Sequence, residues 1–415
     1  MELQIAIGTR TEPVSIPDRN LLGILDANAV EAGPGGVEAV AEALAHPIGA
    51  PLLEQVVHPG ETVAIITSDI TRPMPTALVL PLVLEALGRG GIRDEDITLV
   101  FGLGSHRRQT EEERRRLAGD AYGRIRCVDS DPNDCIHLGT TRRGTPVDVT
   151  RVVAEADRIV CLGNIEYHYF VGYSGGVKAV MPGVSSRDAI QANHSRMVLP
   201  EAHAGKLEGN PIREDVEEAG RLAGVDYIVN VVLGDHKEIL CAVAGHPVEA
   251  HRVGCRFLDT LYRKPIPQRA DIVLTSQGGA PKDLNLYQTQ KALDNAKHAV
   301  RPGGTIILVG SCREGLGEGV FEQWIREARR PEDLIERVQA HFQLGGHKAA
   351  AIAMVLQEAE VYLVSEMDPA MVERVFLRPF GTVQEALDAA MAKHGPDATV
   401  LVMPHGGSTL PLPPD

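Results

Sequence analysis

Three histidines and one lysine of this chain belong to residue types that do chemistry, and they stand close together. His106 follows a glycine-rich segment in GLGSHRRQT, His168 and Lys178 share the stretch HYFVGYSGGVKAVMPG, and His194 follows in NHS. An imidazole moves protons near neutral pH and binds transition metals, whereas a lysine amine binds an anion or bonds covalently to a cofactor. The chain has 15 histidines, so most are bystanders, but the clustering between residues 167 and 195 favours a functional site.

A glycine-rich loop, GYSGGVKAVMPG, surrounds the lysine. Backbone N–H groups exposed by glycines bind anions, so the loop at residues 172–183 predicts a cradle for an anion such as phosphate. It is not a Walker A motif, because Ala179 follows Lys178 where that motif has Ser or Thr. The alternative interpretation is a tight turn that carries a surface lysine.

Asn193 and Ser195 flank His194, and neighbours of this kind can fix the tautomer of a metal-bound imidazole. A lone histidine in such a place is more often structural, and that alternative stays open from the residues alone. No HExxH pattern accompanies it, so a zinc hydrolase is not indicated.

Two further segments carry polar groups. In SDITRPMP, Asp69 suits a sugar hydroxyl and Arg72 a carboxylate or phosphate, although an Asp helix cap with a surface Arg is the alternative. In LNLYQTQKALDNA, Tyr287 and Lys291 are four residues apart and share one face of a predicted helix, beside Gln288. The alternative for this second segment is a solvated helix face.

Short apolar runs alternate with helical stretches, which predicts an α/β fold with mainly parallel sheets. The predicted strands lie at 61–67, 96–104, 156–165, 270–281, 305–312, 360–365 and 398–407. Asp69, Arg72, His106 and His168 follow the carboxyl ends of the first three, where open α/β sheets bind ligands. A candidate linker at 262–271 divides the chain into domains 1–265 and 266–415, and the Pro-rich carboxyl-terminal segment is expected at the surface.

The bulk composition excludes several classes of protein. Lysine and arginine number 41 against 56 aspartates and glutamates, a net charge of −15 that argues against nucleic-acid binding. No apolar run is long enough to span a membrane, and the first residues do not have the pattern of a signal peptide. Six scattered cysteines form no CxxC pair, which indicates reduced thiols and, with the other features, a cytoplasmic protein.

Taken together, these segments resemble the nickel-dependent lactate racemase family. The resemblance covers both halves of the chain, from SDITRP through GSHRRQT, HYFVGYSGGVKAVMPG and NHS to LYQTQKAL. It implies a two-domain α/β enzyme, with its active site in the cleft between the halves, that racemises or epimerises a 2-hydroxy acid by proton-coupled hydride transfer. It also implies a nickel-pincer nucleotide, a pyridinium-3-thioamide-5-thiocarboxylic acid mononucleotide made and delivered by other proteins.

The resemblance implies a role for each residue named above. Lys178 is expected to tether the cofactor covalently, His194 to bind the nickel, and His106 and His168 to act as acid and base. The expected cofactor contacts are Asp69, Ser174, Gly175 and Gly176, and the expected substrate contacts are Arg72, Tyr287, Gln288 and Lys291. The same chemistry on malate, an aromatic lactate or a sugar acid remains an alternative, as does a non-catalytic cofactor-binding protein of this fold.

Overall fold

The computed structural model describes residues 1–414 except 27, 29–32, 34 and 235. The chain forms two compact units, one of Val30–Thr260 and one of Met1–Ala29 with Leu261–Asp415. The division into 1–265 and 266–415 therefore differs from the structure at the amino terminus. The first residues belong to the same unit as the carboxyl-terminal part, because the strand Leu21–Ile24 pairs in parallel with Val400–Met403.

The unit Val30–Thr260 is built on a six-stranded sheet that is parallel except at one edge. Its strands, in spatial order, are Ile239–Gly245, Tyr227–Leu233, Arg158–Ile165, Val63–Ser68, Ile97–Gly102 and Arg126–Asp129. The inner strands are apolar runs buried along most of their length, as parallel strands covered on both faces require. The antiparallel edge strand is Ile239–Gly245.

Helices and two small antiparallel pairs complete this region. The helices between residues 36 and 262 are Gly36–Ala45, Leu53–Val56, Thr76–Arg89, Glu111–Ala118, Arg151–Ala154, Arg187–His194, Pro211–Leu222 and Glu249–Tyr262, with short 3₁₀ turns at Asp94–Asp96, Gly119–Ala121, Gly176–Ala179 and Ser195–Val198. The small pairs are Cys135–Thr140 with Pro146–Thr150, and Tyr167–His168 with Gly172–Tyr173.

The other unit has a six-stranded, fully parallel sheet. Its strands are Arg378–Phe380, Glu360–Val364, Val300–Val309, Ala270–Ser276, Val400–Met403 and Leu21–Ile24, in spatial order. Its helices are Leu286–Ala296, Gly319–Glu327, Pro331–Ala340, Gly346–Leu356, Pro369–Arg374 and Val383–His394, and the strands Glu2–Ile7 and Arg10–Ser15 form a hairpin. The predicted α/β class with mainly parallel sheets is confirmed.

The carboxyl-terminal segment is less exposed than its composition suggests. Leu410–Leu412 pairs in parallel with Arg263–Pro265, inside the segment that was the candidate linker. Thr409 and Leu410 are buried. Main-chain hydrogen bonds between segments about 150 residues apart give the carboxyl-terminal segment a partner that no local sequence pattern indicates.

Chain order and spatial order reverse at one point in the first sheet. From Val63–Ser68 the chain proceeds to Ile97–Gly102 on one side, and Arg158–Ile165 later returns to the other side. Loops leave the carboxyl ends of these strands in opposite directions, which opens a crevice where α/β proteins bind ligands. Among the described residues, no helix is both long and apolar enough to cross a membrane.

Candidate active site

His106 is paired with a buried carboxylate. Its Nδ1 lies 2.6 Å from Oδ2 of Asp69, which directly follows the strand Val63–Ser68 and is 3% exposed. The other oxygen, Oδ1, accepts hydrogen bonds from the Thr71 hydroxyl at 2.6 Å and the Thr71 backbone N–H at 3.1 Å. Burial alone raises the pKa of the Asp69 carboxyl, but the hydrogen bonds from His106 and Thr71 outweigh it, so the pKa is lowered.

This pairing decides which nitrogen of His106 carries the proton. An ionised carboxylate only accepts hydrogen bonds, so Nδ1 of His106 must be the N–H facing Asp69. Nε2 of a neutral His106 then presents a lone pair, which is the form that a general base needs. The helix Thr76–Arg89 begins after Pro75 without a side-chain cap, so Asp69 serves His106 rather than the helix.

His168 is held by different contacts. It lies on the short strand Tyr167–His168, and its Nδ1 accepts a long hydrogen bond of 3.4 Å from the backbone N–H of Val171. Its ring stacks on Tyr169 at a centroid distance of 5.4 Å and meets Phe170 edge-on at 4.5 Å. Because Nδ1 accepts, Nε2 of a neutral His168 carries the hydrogen. The two histidines therefore favour opposite tautomers.

Two buried or half-buried groups fix the hairpin that carries His168. The guanidinium of Arg213, 1% exposed, donates to the backbone carbonyls of Val171 and Tyr173. The hydroxyls of Tyr167 and Tyr173 both donate to Oδ1 of Asp259, at 2.8 and 2.7 Å. Neither Arg213 nor Asp259 was predicted from the sequence to belong to the site.

The loop around Lys178 uses its glycines for tight packing. Gly175 and Gly176 have φ values of 75° and 61°, which other residues adopt only with strain. The N–H of Gly176 donates to Oδ1 of Asn230 at 2.6 Å, and the N–H of Ser174 donates to the Glu166 carbonyl at 2.9 Å. The prediction that this loop binds an anion is therefore wrong for the N–H groups of Ser174 and Gly176, which donate to protein atoms instead.

The Lys178 side chain has an amine of unusual acidity. Burial lowers its pKa to about 7, and the positive charges of Arg72 and Arg213 act in the same direction, against a smaller opposing effect of Glu166. A substantial fraction of the amine is therefore uncharged near neutral pH. An uncharged amine is the form that makes a covalent bond to an electrophilic carbon.

His194 ends the helix Arg187–His194 and is 5% exposed. Its Nδ1 lies 2.8 Å from Oδ1 of Asn193, and its ring meets the Phe170 ring edge-on at 4.9 Å. Among the described residues, no group of three or more His, Cys, Asp and Glu side chains is arranged to hold a metal.

Side-chain and backbone contacts bring these elements together. Phe170 touches the rings of both His168 and His194. The loop that carries His106 packs on the segment after Lys178, because the N–H of Gly104 donates to the carbonyl of Gly183 at 2.8 Å. The structure thus joins the acid–base, tether and metal candidates of the unit Val30–Thr260 in one region.

The remaining predicted residues lie in the other compact unit. Tyr287, Gln288 and Lys291 occupy the first two turns of the helix Leu286–Ala296, which the Asn285 side chain caps. Lys348 donates to the Tyr287 carbonyl at 2.6 Å, and its ammonium lies 4.0 Å from the Tyr287 ring centroid. That these residues share one active site with His106 and His168 stays a prediction.

Lys348 was not predicted from the sequence. It follows a glycine pair in LGGHKAA, much as Lys178 follows one in SGGVKAV. That shared pattern of two glycines shortly before a lysine is the signal that could have found it. Lys348 is 6% exposed, so it is a buried amine beside a predicted ligand-binding residue.

Comparison with known families matches both halves of the chain. Residues 7–205 match the lactate racemase N-terminal domain, and residues 266–410 match the lactate racemase C-terminal domain. Together the two matches cover most of the sequence.

Similar proteins match along nearly the whole length. A lactate racemase of Thermoanaerobacterium thermosaccharolyticum is 31% identical over 98% of each chain, and one of Lactiplantibacillus plantarum is 33% identical over 96% of each. A solved structure of the lactate racemase apoprotein from T. thermosaccharolyticum superposes with a TM-score of 0.89 at 31% identity, covering 99% of this chain and 100% of that one.

Proposed function

This chain belongs to the lactate racemase family, and from that premise we propose that it is an isomerase that racemises or epimerises a 2-hydroxy acid, with lactate as the first candidate. The observation that carries the proposal is the pair of histidines of opposite tautomer, His106 and His168, in the unit that also holds Lys178, whose pKa burial lowers to about 7.

The residues present suit a nickel-pincer nucleotide. Lys178 would hold it through a covalent bond from its amine, and His194 would bind the nickel through Nε2, since its Nδ1 faces Asn193. The lack of a three-residue metal cluster in the described part of the chain suits a group that brings its own sulfur and carbon donors. When bound, this group supplies a hydride acceptor for the substrate Cα.

The protein side chains would move the hydroxyl proton. The Cα–H of a 2-hydroxy acid is very weakly acidic, because its carboxylate is already charged, so removal of hydrogen as hydride avoids an unstable carbanion. A base must then take the proton from the substrate hydroxyl. Nε2 of His106 presents a lone pair for this purpose, and His168 would return a proton from its imidazolium form, because a neutral imidazole that gave up its Nε2 hydrogen would become an imidazolate.

We further propose that cationic side chains orient the substrate. Arg72 is exposed and lies three residues after Asp69, and its positive charge lowers the pKa of Lys178. Lys291 is exposed on the helix Leu286–Ala296. Guanidinium and ammonium groups neutralise a carboxylate and fix its direction. Tyr287 and Gln288 are further proposed substrate contacts. Asp69 would act through His106, and Ser174 and Gly175 would line the cofactor. Other proteins would make and deliver the cofactor in the cytoplasm.

The proposal is tested on protein made together with the cofactor-producing proteins. Intact-protein mass and nickel content are measured for the parent, for Lys178→Met and for the control Lys206→Met, which removes a lysine from the same unit. We expect a covalent adduct and nickel in the parent and in the control, and neither in Lys178→Met.

Chiral chromatography then measures the interconversion of the enantiomers of lactate, malate, phenyllactate and a sugar acid. We expect the loaded parent to interconvert at least one pair. A loaded protein that racemises none of them contradicts the proposed reaction, and an adduct that persists in Lys178→Met contradicts the tether.

A further inference from the structure

A buried carboxylate lies behind the helix that ends at His194. Asp215, on the helix Pro211–Leu222, is 1% exposed. It accepts hydrogen bonds from the hydroxyls of Thr141 and Thr145, each at 2.5 Å, and from the guanidinium of Arg196 at 3.2 Å. The fourth donor is the side-chain amide of Asn193, whose Nδ2 lies 2.7 Å from Oδ2 of Asp215.

The fourth bond fixes the orientation of the Asn193 amide. A carboxylate surrounded by donors, one of them a guanidinium, only accepts, so the Asn193 atom that faces Asp215 must be the NH₂ group. The amide oxygen must then face the other way, toward Nδ1 of His194 at 2.8 Å. An amide oxygen also only accepts, so Nδ1 of His194 carries the hydrogen.

We propose that Asp215 is a positioning residue that sets the tautomer of His194 through Asn193, leaving the Nε2 lone pair for a metal. The inference rests on the proposed function for the identity of that metal site. Outer groups that orient a metal-binding imidazole are common, and their loss typically costs about 10–100-fold in metal affinity or activity. Here the orienting carboxylate acts across an intervening amide, not by direct contact with the imidazole.

Asp215 is also held by hydrogen bonds from residues other than Asn193. Thr141 and Thr145 lie at the two ends of the turn that connects the strands Cys135–Thr140 and Pro146–Thr150. The N–H of Thr145 also donates to the Thr141 hydroxyl at 3.1 Å. Both threonines and Arg196 hold Asp215 from three directions. The carboxylate therefore cannot turn toward a different partner without leaving buried donors unsatisfied.

Asp215→Asn tests the inference, because an asparagine at this position is nearly isosteric but both donates and accepts. Only the long hydrogen bond of 3.4 Å from Nδ2 of Asn193 to the Ile212 carbonyl then opposes reversal of the Asn193 amide. In the reversed amide, the NH₂ group would require Nδ1 of His194 to accept. The measurement is long-range ¹H–¹⁵N correlation NMR above pH 7.5 on cofactor-free protein labelled with ¹⁵N-histidine, and the variant His194→Gln identifies the His194 signal. We expect His194 of the parent to be the Nδ1–H tautomer. In Asp215→Asn we expect a mixture of tautomers or the Nε2–H tautomer.

Asp148→Asn is the matched control. Asp148 accepts from the Ser186 hydroxyl at 2.8 Å, and Ser186 caps the same helix, so the control removes a carboxylate near the opposite end of that helix. Its His194 tautomer should equal that of the parent. In protein made with the cofactor-producing proteins, nickel retention should fall about 10–100-fold in Asp215→Asn and stay unchanged in the control.

A second variant covers the case in which Asp215→Asn does not fold. Asn193→Leu removes the intervening amide and leaves Asp215 with its other three donors. We expect His194 to lose its preference for the Nδ1–H form there too. A parent-like tautomer in Asp215→Asn, or in Asn193→Leu if only that variant folds, overturns the inference. A changed tautomer without racemisation by the parent would contradict only the proposed reaction.

Discussion

His106 and His168 are held by different kinds of contact, although both are proposed to move the same proton. The ring of His106 faces the buried carboxylate of Asp69 at 2.6 Å. The ring of His168 packs against the rings of both Tyr169 and Phe170, and its Nδ1 accepts from a backbone N–H at 3.4 Å. One histidine is oriented by charge and the other by aromatic packing and the backbone.

The difference sets which Nε2 atom carries a hydrogen when both rings are neutral. His106 then presents a lone pair at Nε2 and His168 presents a hydrogen at Nε2, because their Nδ1 atoms have opposite partners. A neutral imidazole that gave up that hydrogen would become an imidazolate, so the histidine that acts as the acid must first be protonated to imidazolium. Uptake of a proton by one ring and release from the other, protonated ring exchanges the two roles, which a racemase needs in order to work in both directions.

Removal of either imidazole should have the largest effect. In His106→Ala and His168→Ala, racemisation should fall by about 10²–10⁴-fold, the usual contribution of a general acid or base. Chiral chromatography measures the rate, with the exposed His46→Ala as control. In single-turnover assays that are stopped with acid, His168→Ala should still oxidise one enantiomer of lactate to pyruvate, because His106 keeps the base that this step needs. Parent-like rates in both would refute the two-histidine mechanism.

Asp69→Asn tests the electrostatic side of the comparison. An amide can face Nδ1 of His106 with either its oxygen or its NH₂ group, so the lone pair at Nε2 is no longer assured. We expect kcat to fall by about 10²-fold, toward the lower end of the contribution of the histidine itself. Steady-state kinetics of the loaded enzyme provide the measurement, and Asp259→Asn, which keeps an acceptor for Tyr167 and Tyr173, serves as the counterpart on the His168 side. Equal losses in the two variants would mean that the carboxylate has no special role at His106.

Phe170→Leu tests the packing side and should have a smaller effect. The ring meets both His168 and His194 edge-on, and such aromatic contacts contribute about 0.5–1.5 kcal/mol beyond the area they bury. Racemisation should therefore fall only about two- to tenfold. The same kinetic assay measures it, together with the nickel content. A loss as large as that of His168→Ala would show that the ring does more than hold the imidazole.

The smallest expected effect is on the pH dependence of the unfolding free energy, which should differ between Asp69→Asn on the His106 side and Phe170→Leu on the His168 side. The pKa of Asp69 is lower in the folded chain than its value of about 3.9 in an unfolded chain, so its stabilisation is present above about pH 4 and is lost as the pH falls through the lowered value. The difference in unfolding free energy between the parent and Asp69→Asn should shrink in acid. The difference for Phe170→Leu should stay constant over the same range. Urea unfolding of cofactor-free protein from pH 3 to 7 measures both, and parallel curves would contradict the assignment.

The sequence predicts the outline of the site because strand ends are local signals. Asp69, His106 and His168 each follow an apolar run, and parallel strands bring their carboxyl ends to one edge. The pairing of His106 with Asp69 is not predictable in this way, because it depends on how two loops fold back. The sequence does hold a signal for Asp215, because this residue lies on the same helical face as the apolar residues Ile212, Val216 and Ala219. A charged residue on an apolar stripe indicates a buried polar contact.

No local sequence pattern indicates to which compact unit the first residues of the chain belong. The strand Leu21–Ile24 looks the same in sequence whether it pairs nearby or with Val400–Met403, and it pairs with the latter. Only the register of a sheet formed across almost the whole chain decides this. The domain division drawn from composition, between residues 265 and 266, therefore could not include the return of the amino terminus to the other unit.

The pairing of Leu21–Ile24 with Val400–Met403 also imposes an order on biosynthesis. The unit Val30–Thr260 is one continuous segment, so it can fold while the ribosome is still adding residues. The other unit must wait, with the sheet strand Leu21–Ile24 already outside the ribosome, until Val400–Met403 emerges. During that interval Leu21–Ile24 lacks its partner strand, and its open edge can pair with other chains.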